Sequence, residues 1–93
     1  MGINQKQYRE LEKISKGFAN HRRIQILELL QKYPDLSVFE VSERLETNFK
    51  TISEHIRRLA LAELVEKRNR GAAVCHRVSD RGAFILKFLR TLE

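Results

Sequence analysis

The sequence has a single cysteine, a single proline, four glycines and no tryptophan. One cysteine cannot form a disulfide within the chain, which argues against a small secreted protein held by bridges and favours a reducing cytoplasm. Because proline and glycine are scarce, the composition also disfavours a loop-rich or disordered chain. We therefore expect a folded, helix-rich, cytoplasmic protein.

Long apolar segments are also missing. No run approaches the roughly 18 residues that a membrane-spanning helix needs, and the first ten residues, MGINQKQYRE, lack the apolar centre of a signal peptide. The chain has 93 residues, enough for one hydrophobic core. We therefore expect a single domain over residues 1–93, without a membrane partner.

Basic residues are in excess, with 18 lysines and arginines against 12 aspartates and glutamates, a net charge of +6. This excess favours a polyanionic partner, nucleic acid first and an anionic membrane surface second. Small basic proteins are common, so charge alone leaves the partner open. Which partner the chain binds depends on how the charges are arranged.

Five helices are predicted by capping residues that precede apolar residues at three- and four-residue steps. The predicted caps are Asn4, Asn20, Ser37, Asn48 and Ser79. The helices expected after them span about residues 4–19, 20–33, 37–45, 49–62 and 80–92. Pro34 ends the second helix, and Ser37 with Glu40 forms a capping box at the start of the third.

The third and fourth helices are separated only by ETN, which predicts a helix-turn-helix. The segment LVEKRNRGAAVCHRVS then alternates and predicts a β-hairpin with its tip at residues 69–71. In this hairpin Val74, His76 and Val78 share one face, and Cys75 lies on the other. The expected fold is mainly α with a two-stranded wing: a winged helix-turn-helix.

After its first helix, the chain has three helices, then a basic hairpin and then a closing helix. In this order of elements, about residues 20–79 resemble the small ArsR-type (arsenic-repressor-like) transcriptional regulators. MarR-type relatives share this order. In the ArsR-type family, TISEHIRRLALAELVEKRNRGAAVCHRVS corresponds to the recognition helix and the wing. The resemblance implies a homodimeric regulator of double-stranded DNA, most often a repressor, with residues 4–19 and 80–92 as dimerisation elements.

The fourth helix is predicted to bury Ile52, Ile56 and Leu59 on one face, which leaves its polar side chains facing outward where a major groove can accept them. Arginines near the hairpin tip are suited to phosphates or a narrow minor groove. The predicted DNA-binding residues are Asn48, Phe49, Lys50, Thr51, Ser53, Glu54, Arg57, Arg58, Lys67, Arg68, Arg70 and Arg77. The alternatives are an ordinary solvated helix face with a solubilising hairpin, or a winged-helix module that binds another protein.

The last helix has apolar residues on more than one face, so part of it needs a partner besides its own core. The first helix offers a second apolar stripe. The predicted dimer interface consists of Tyr8, Leu11, Phe18, Phe84, Ile85, Phe88, Leu89 and Leu92. We expect the two ends of each chain to pack against those of a second copy.

Enzyme chemistry is not expected, because His21, His55 and His76 are scattered and no carboxylate pair or phosphate-binding loop accompanies them. ArsR-type metal sensors carry paired thiols in the third helix, where this chain has Ser37 and Phe39. Their other metal site uses histidine on the last helix, which has none here. We expect no metal and no cofactor.

Two turns depart from the family pattern. Glu46 and Glu63 stand where these regulators usually have glycine, after the third helix and at the end of the fourth. Glutamate adopts positive φ at a higher energetic cost than glycine, so the two turns are expected to differ from the family geometry. A redox role for Cys75 is a minor alternative, because it would require a lowered thiol pKa.

Overall fold

The computed structural model describes residues 2–93. The elements are α1 (Gln5–Phe18), α2 (His21–Lys32), β1 (Leu36–Ser37), α3 (Val38–Arg44), α4 (Phe49–Leu61), β2 (Val65–Arg70), β3 (Ala73–Val78) and α5 (Asp80–Arg90). Their order confirms the mainly α, winged helix-turn-helix fold, and the helix bounds agree with the predicted ones to within two residues. No helix in the described range is long and apolar enough to cross a membrane.

All five predicted N-caps are confirmed. In the capping box of α3, the Glu40 amide donates to Ser37 Oγ (3.1 Å) and the Ser37 amide donates to Glu40 Oε1 (2.9 Å). Asn4 and Gln7 form a second, unexpected capping box at α1. Because each cap satisfies amides that the helix cannot pair internally, these side chains determine where each helix begins.

The core lies between α2, α3, α4, α5 and the sheet. Its fully buried members include Ile26, Leu27, Leu30, Val41, Ile52, Leu59 and Leu64. In α2, Ile26 is fully buried and Ile24 is half-buried. Since three turns of α4 are anchored in this core, the outward direction of its opposite face is fixed.

The wing belongs to a three-stranded antiparallel sheet with the order β1-β3-β2. The two-stranded prediction missed β1, in which Leu36 pairs with His76 and Ser37 with Cys75. Arg70 pairs with Ala73, so the hairpin tip is residues 71–72 and not 69–71. A two-residue connection favours positive φ, which Gly71 adopts with φ 64°.

Along β3, Val74 and His76 line the same groove, as the predicted alternation requires, but burial does not follow that alternation. Cys75 and His76 are both buried, whereas Val74 is 49% exposed. β3 is the middle strand of the sheet and contacts both α2 and α5. Val74 lies nearer the tip and extends past the core.

Glu46 and Glu63 take the left-handed conformation that glycine favours, with φ of 49° and 58°. In this region the side chain of a non-glycine residue crowds its own backbone, at a cost of about 1–2 kcal/mol. Glu46 is exposed, and its amide donates to the Glu43 carbonyl at 3.2 Å, which closes the end of α3. The two turns that have glutamate where the family usually has glycine are therefore under local strain.

Glu46→Gly is expected to raise the free energy of unfolding by about 0.5–1 kcal/mol. Relief of the positive-φ strain exceeds the extra entropy that glycine gives the unfolded chain, which costs about 0.4–1 kcal/mol. Urea denaturation of both proteins measures the difference. As a matched control, Glu28→Gly in the middle of α2 should lower stability by about 1 kcal/mol. A loss of stability in Glu46→Gly would contradict the strained turn.

Candidate nucleic-acid interface

The exposed face of α4 is the first part of the candidate interface. Ile52, Ile56 and Leu59 fix the helix on the core with at most 2% of each side chain exposed. Of the predicted residues within α4, six are exposed and Ser53 is half-buried. The exposed six are Phe49, Lys50, Thr51, Glu54, Arg57 and Arg58. The structure therefore brings the predicted α4 residues together on one outward surface.

Asn48 is primarily a cap. Its Oδ1 accepts the amides of Lys50 (2.8 Å) and Thr51 (3.2 Å). A phosphate at the start of α4 would have to replace Asn48 to use these two donors. Asn48 therefore contributes to the interface by fixing the start of the helix.

Glu54, Arg57 and Arg58 form one cluster on α4. Arg57 donates to the Glu54 carboxylate through Nε (3.0 Å) and Nη2 (2.7 Å), and Arg58 Nε donates to the same group at 3.2 Å. These hydrogen bonds, from Arg57 first, lower the pKa of Glu54 to about 2, and the same pair raises the pKa of Arg57. The cluster remains fully ionised at neutral pH and holds the Arg57 guanidinium against α4.

The four cationic residues predicted in the wing divide into two pairs. Lys67 and Arg68 are exposed on β2, and neither side chain forms a hydrogen bond or ion pair with the described part of the chain. Arg77 donates to both carboxylate oxygens of Asp35, at 3.1 and 2.8 Å. Arg70 donates to the Asp35 carbonyl (2.9 Å) and to Glu40 Oε1 (3.2 Å).

Asp35 and Glu40 therefore brace the wing against the helix-turn-helix, a role that the sequence did not reveal. The hydrogen bond from Arg77 is the main cause of the lowered pKa of Asp35, and bonds from Ser37 followed by Arg70 lower that of Glu40. Both carboxylates are ionised at neutral pH. The wing presents Lys67 and Arg68 from a braced strand rather than from a free tip.

The predicted dimer residues differ in exposure. Phe18 and Ile85 are half-buried and pack against their own core, and Leu89 is half-buried as well. The remaining five are about half to two-thirds exposed: Tyr8, Leu11, Phe84, Phe88 and Leu92. A large apolar surface thus remains uncovered on α1 and α5.

The histidines are separated in the fold. His55 Nδ1 accepts a hydrogen bond from Arg23 Nε at 3.2 Å, and burial followed by Arg23 lowers the pKa of His55. His76 is buried in β3. Within residues 2–93, no three His, Cys, Asp or Glu side chains lie close enough together to hold a metal ion.

Comparisons with known proteins find the same architecture. Residues 20–66 match the family model for winged helix-turn-helix DNA-binding domains, from the cap of α2 to the start of the wing. A homodimeric winged helix-turn-helix DNA-binding domain from Mycobacterium bovis shares the fold, with a TM-score of 0.84 and 24% identity over 99% of this chain and 88% of its own. A comparison with curated proteins gives no match.

Two solved regulators share more of the sequence. HlyU from Vibrio cholerae is 31% identical, with a TM-score of 0.79 over 96% of this chain and 97% of its own. An ArsR-like transcriptional regulator from Rhodococcus sp. RHA1 is 28% identical, with a TM-score of 0.78 over 97% and 80%. This chain belongs to the winged helix-turn-helix DNA-binding family, as an ArsR-type transcriptional regulator.

Proposed function

We propose that the protein is a cytoplasmic homodimeric repressor that binds a specific double-stranded DNA site without a cofactor. The observation that carries this proposal is the outward face of α4, which presents polar and cationic side chains beside Lys67 and Arg68 of the wing. An α-helix fits the major groove, and a basic hairpin beside it reaches the backbone or the minor groove. A net charge of +6 favours approach to DNA.

Within α4, Arg57 is the candidate for reading a base, because a guanidinium can donate to guanine O6 and N7 together. Its bidentate pair with Glu54 holds it in one orientation before DNA arrives. Lys50 and Thr51 at the helix start are suited to phosphate. Glu54 also has the chemistry to accept from a cytosine amine.

In the wing, Lys67 and Arg68 have their charged groups free for phosphate or a narrow minor groove. Arg70 and Arg77 act mainly by holding the wing through Asp35 and Glu40. We therefore assign DNA contact to Lys67 and Arg68, and orientation of the wing to Arg70 and Arg77. The exposed ion pair of Arg70 with Glu40 can exchange for a phosphate, so Arg70 remains a secondary contact, whereas the pair of Arg77 with Asp35 is half-buried.

The proposed dimer rests on the uncovered apolar side chains of α1 and α5. Two copies would bury an isologous interface of about 1,200–2,000 Å² or more. The M. bovis domain of the same fold is a homodimer, which supports the proposal. A symmetric dimer would present two α4 helices to half-sites about 34–36 Å apart. Occupying the operator suffices for repression, because it excludes other proteins from that DNA.

A protein-binding module is the second candidate, favoured by Phe39 of α3 and Phe49 of α4, which are both more than half exposed. Selection of bound duplexes from a random pool decides between the two, with affinity for the selected duplex measured at several salt concentrations. DNA binding predicts an enriched palindromic site and an affinity that falls steeply with salt. No enrichment would remove the proposed function.

Arg57→Ala should weaken binding to the selected duplex by about 1–3 kcal/mol and relax the preference at one base pair of each half-site. The reason is that alanine removes the guanidinium and leaves the Glu54 carboxylate facing the DNA. Fluorescence anisotropy on the site and its single-base variants measures both effects. Arg9→Ala, which removes an equal charge from α1, should leave the preference unchanged. An unaltered base preference in Arg57→Ala would remove Arg57 from base recognition.

A further inference from the structure

An apolar groove with a volume of about 700 Å³ lies between α3, α4 and the wing. Phe39, Phe49, Leu61 and Val74 line it, and each is about half exposed. Pockets for small molecules typically have volumes of about 300–1,000 Å³ and mostly apolar walls with a few polar groups. The groove has the size and the lining of a ligand site.

The charged side chains that line this groove are all positive. None of the described residues that line it is acidic, and its only formal charges are those of Arg57 and Lys67. Arg57 is already paired with Glu54, whereas the Lys67 ammonium group forms no hydrogen bond or ion pair within residues 2–93. A ligand that is apolar with one negative group would complement these walls and pair with Lys67.

His76 adds an independent observation. Its ring lines the groove with 4% of the residue exposed, and its Nδ1 is buried without a hydrogen-bond partner in the described chain. His76 lies directly across from Lys67 in the β2–β3 pairing. Burial, with Lys67 adding to it, lowers the pKa of His76, so the ring is neutral at pH 7. Buried polar atoms are rarely left unpaired, so His76 Nδ1 is an unsatisfied group close to the groove.

We propose that the groove binds a small amphipathic carboxylate, whose apolar body lies on Phe39, Phe49 and Leu61 and whose carboxylate pairs with Lys67. His76, which lines the same groove, offers a ring N–H to one carboxylate oxygen. A phosphate or a sugar would not complement this groove, because the walls of the groove are mainly carbon. A second copy of the chain finds its apolar surface on α1 and α5 instead.

Such a ligand would also control DNA binding, a consequence that rests on the proposed function. The groove shares Phe49, Arg57 and Lys67 with the proposed DNA surface. An occupant would neutralise Lys67 and fill the space between α4 and the wing. Carboxylate binding and DNA binding would then exclude each other.

Titration of ¹⁵N-labelled protein with sodium octanoate, followed by amide NMR shifts, tests the site. Octanoate should give saturable shifts in residues that line the groove. Octan-1-ol and octyltrimethylammonium, which have the same chain without the negative charge, should bind about tenfold more weakly. Equal binding of all three compounds, shifts centred on α1 and α5, or no shifts with octanoate would each overturn the proposal.

Two variants test the assigned polar groups. Lys67→Met keeps the apolar stem, so octanoate should bind about fivefold more weakly while octan-1-ol binds unchanged. His76→Phe should also weaken octanoate binding while the folded spectrum is kept. Lys6→Met, which removes an equal charge from α1, is the control and should leave octanoate affinity unaltered. Native octanoate affinity in Lys67→Met would overturn the assignment.

The regulatory consequence has its own readout. Octanoate, and not octan-1-ol, should displace the selected duplex from the native protein over the concentration range of the NMR shifts. If octanoate fills the groove and DNA affinity is unchanged, the regulatory role is overturned and the ligand site remains. If the protein binds no duplex before octanoate is added, the proposed function fails, and the NMR titration still decides the ligand site.

Discussion

Phe88→Glu is expected to yield an 11.0 kDa monomer that binds the selected duplex at least about 100-fold more weakly than the native protein. Phe88 lies on α5 with 49% of the residue exposed, so glutamate leaves the fold of the subunit intact. In the proposed dimer the same position is covered, and a buried carboxylate without a partner strongly disfavours association. Each half-site then binds alone, and the gain from two linked contacts is lost. Sedimentation velocity at micromolar concentration and DNA titration measure the two effects.

Two controls separate this effect from a general effect of charge or lost apolar area. Phe39→Glu places the same charge at an exposed phenylalanine of α3, away from the terminal helices, and should leave the dimer intact. Phe88→Leu keeps an apolar side chain and should remain dimeric. If the native protein sediments only as a monomer at micromolar concentration, the dimer and its palindromic operator are both wrong.

The structure narrows the proposed interface relative to the sequence. The helical pattern grouped eight apolar residues, but Phe18 and Ile85 pack against the core of their own subunit. Periodicity identifies apolar faces without specifying which partner covers them. The exposed residues on α1 and α5, with Phe84 at 70% exposure the most open, define the surface that a second copy would cover.

The helices were predictable because their signals are local. Each cap accepts an amide only two or three residues away, so Asn48 and Ser37 determine helix starts before any tertiary contact forms. The three-and-four-residue spacing of Ile52, Ile56 and Leu59 likewise predicted the buried face of α4 and thus its outward face. This part of the candidate site could therefore be assigned from sequence.

The strands and the wing contacts depend on partners far along the chain. β1 has only two residues and exists because Leu36 pairs with His76, 40 positions later. The Arg77 guanidinium binds Asp35 across 42 positions, which diverts a cation that the sequence assigned to DNA. The groove beside His76 likewise needs α3, α4 and the wing together. No local sequence pattern encodes contacts between residues so far apart in the chain.

The start of α5 is hydrogen-bonded to the turn that follows α4, residues 62–64. The Ser79 amide donates to the Leu64 carbonyl (3.1 Å), and Ser79 Oγ donates to the Glu63 carbonyl (2.7 Å). Arg81 Nη1 donates to the Ala62 carbonyl at 3.1 Å. The proposed dimer helix and the proposed DNA-reading helix therefore share one rigid junction, which would transmit the dimer geometry to the spacing of the two α4 helices.

Gly82 permits the close packing at this junction, and Gly82→Ala is expected to lower the free energy of unfolding by about 3 kcal/mol. A Cβ there would collide with the backbone carbonyl of Leu64 and lie 2.9 Å from Val78 Cγ1. Backbone cannot move aside as a flexible side chain does, so α5 must shift away and lose packing around Leu86. The shift should also weaken the dimer and its DNA binding.

Urea denaturation of Gly82→Ala should therefore show a lower midpoint with an unchanged slope, because the loss is one of packing and the surface exposed on unfolding stays the same. Gly2→Ala is the matched control, since an added Cβ there meets no atom within 4 Å. Its midpoint should equal that of the native protein. A native midpoint in Gly82→Ala would mean that α5 does not pack on Leu64, and that the two helices are not coupled through this junction.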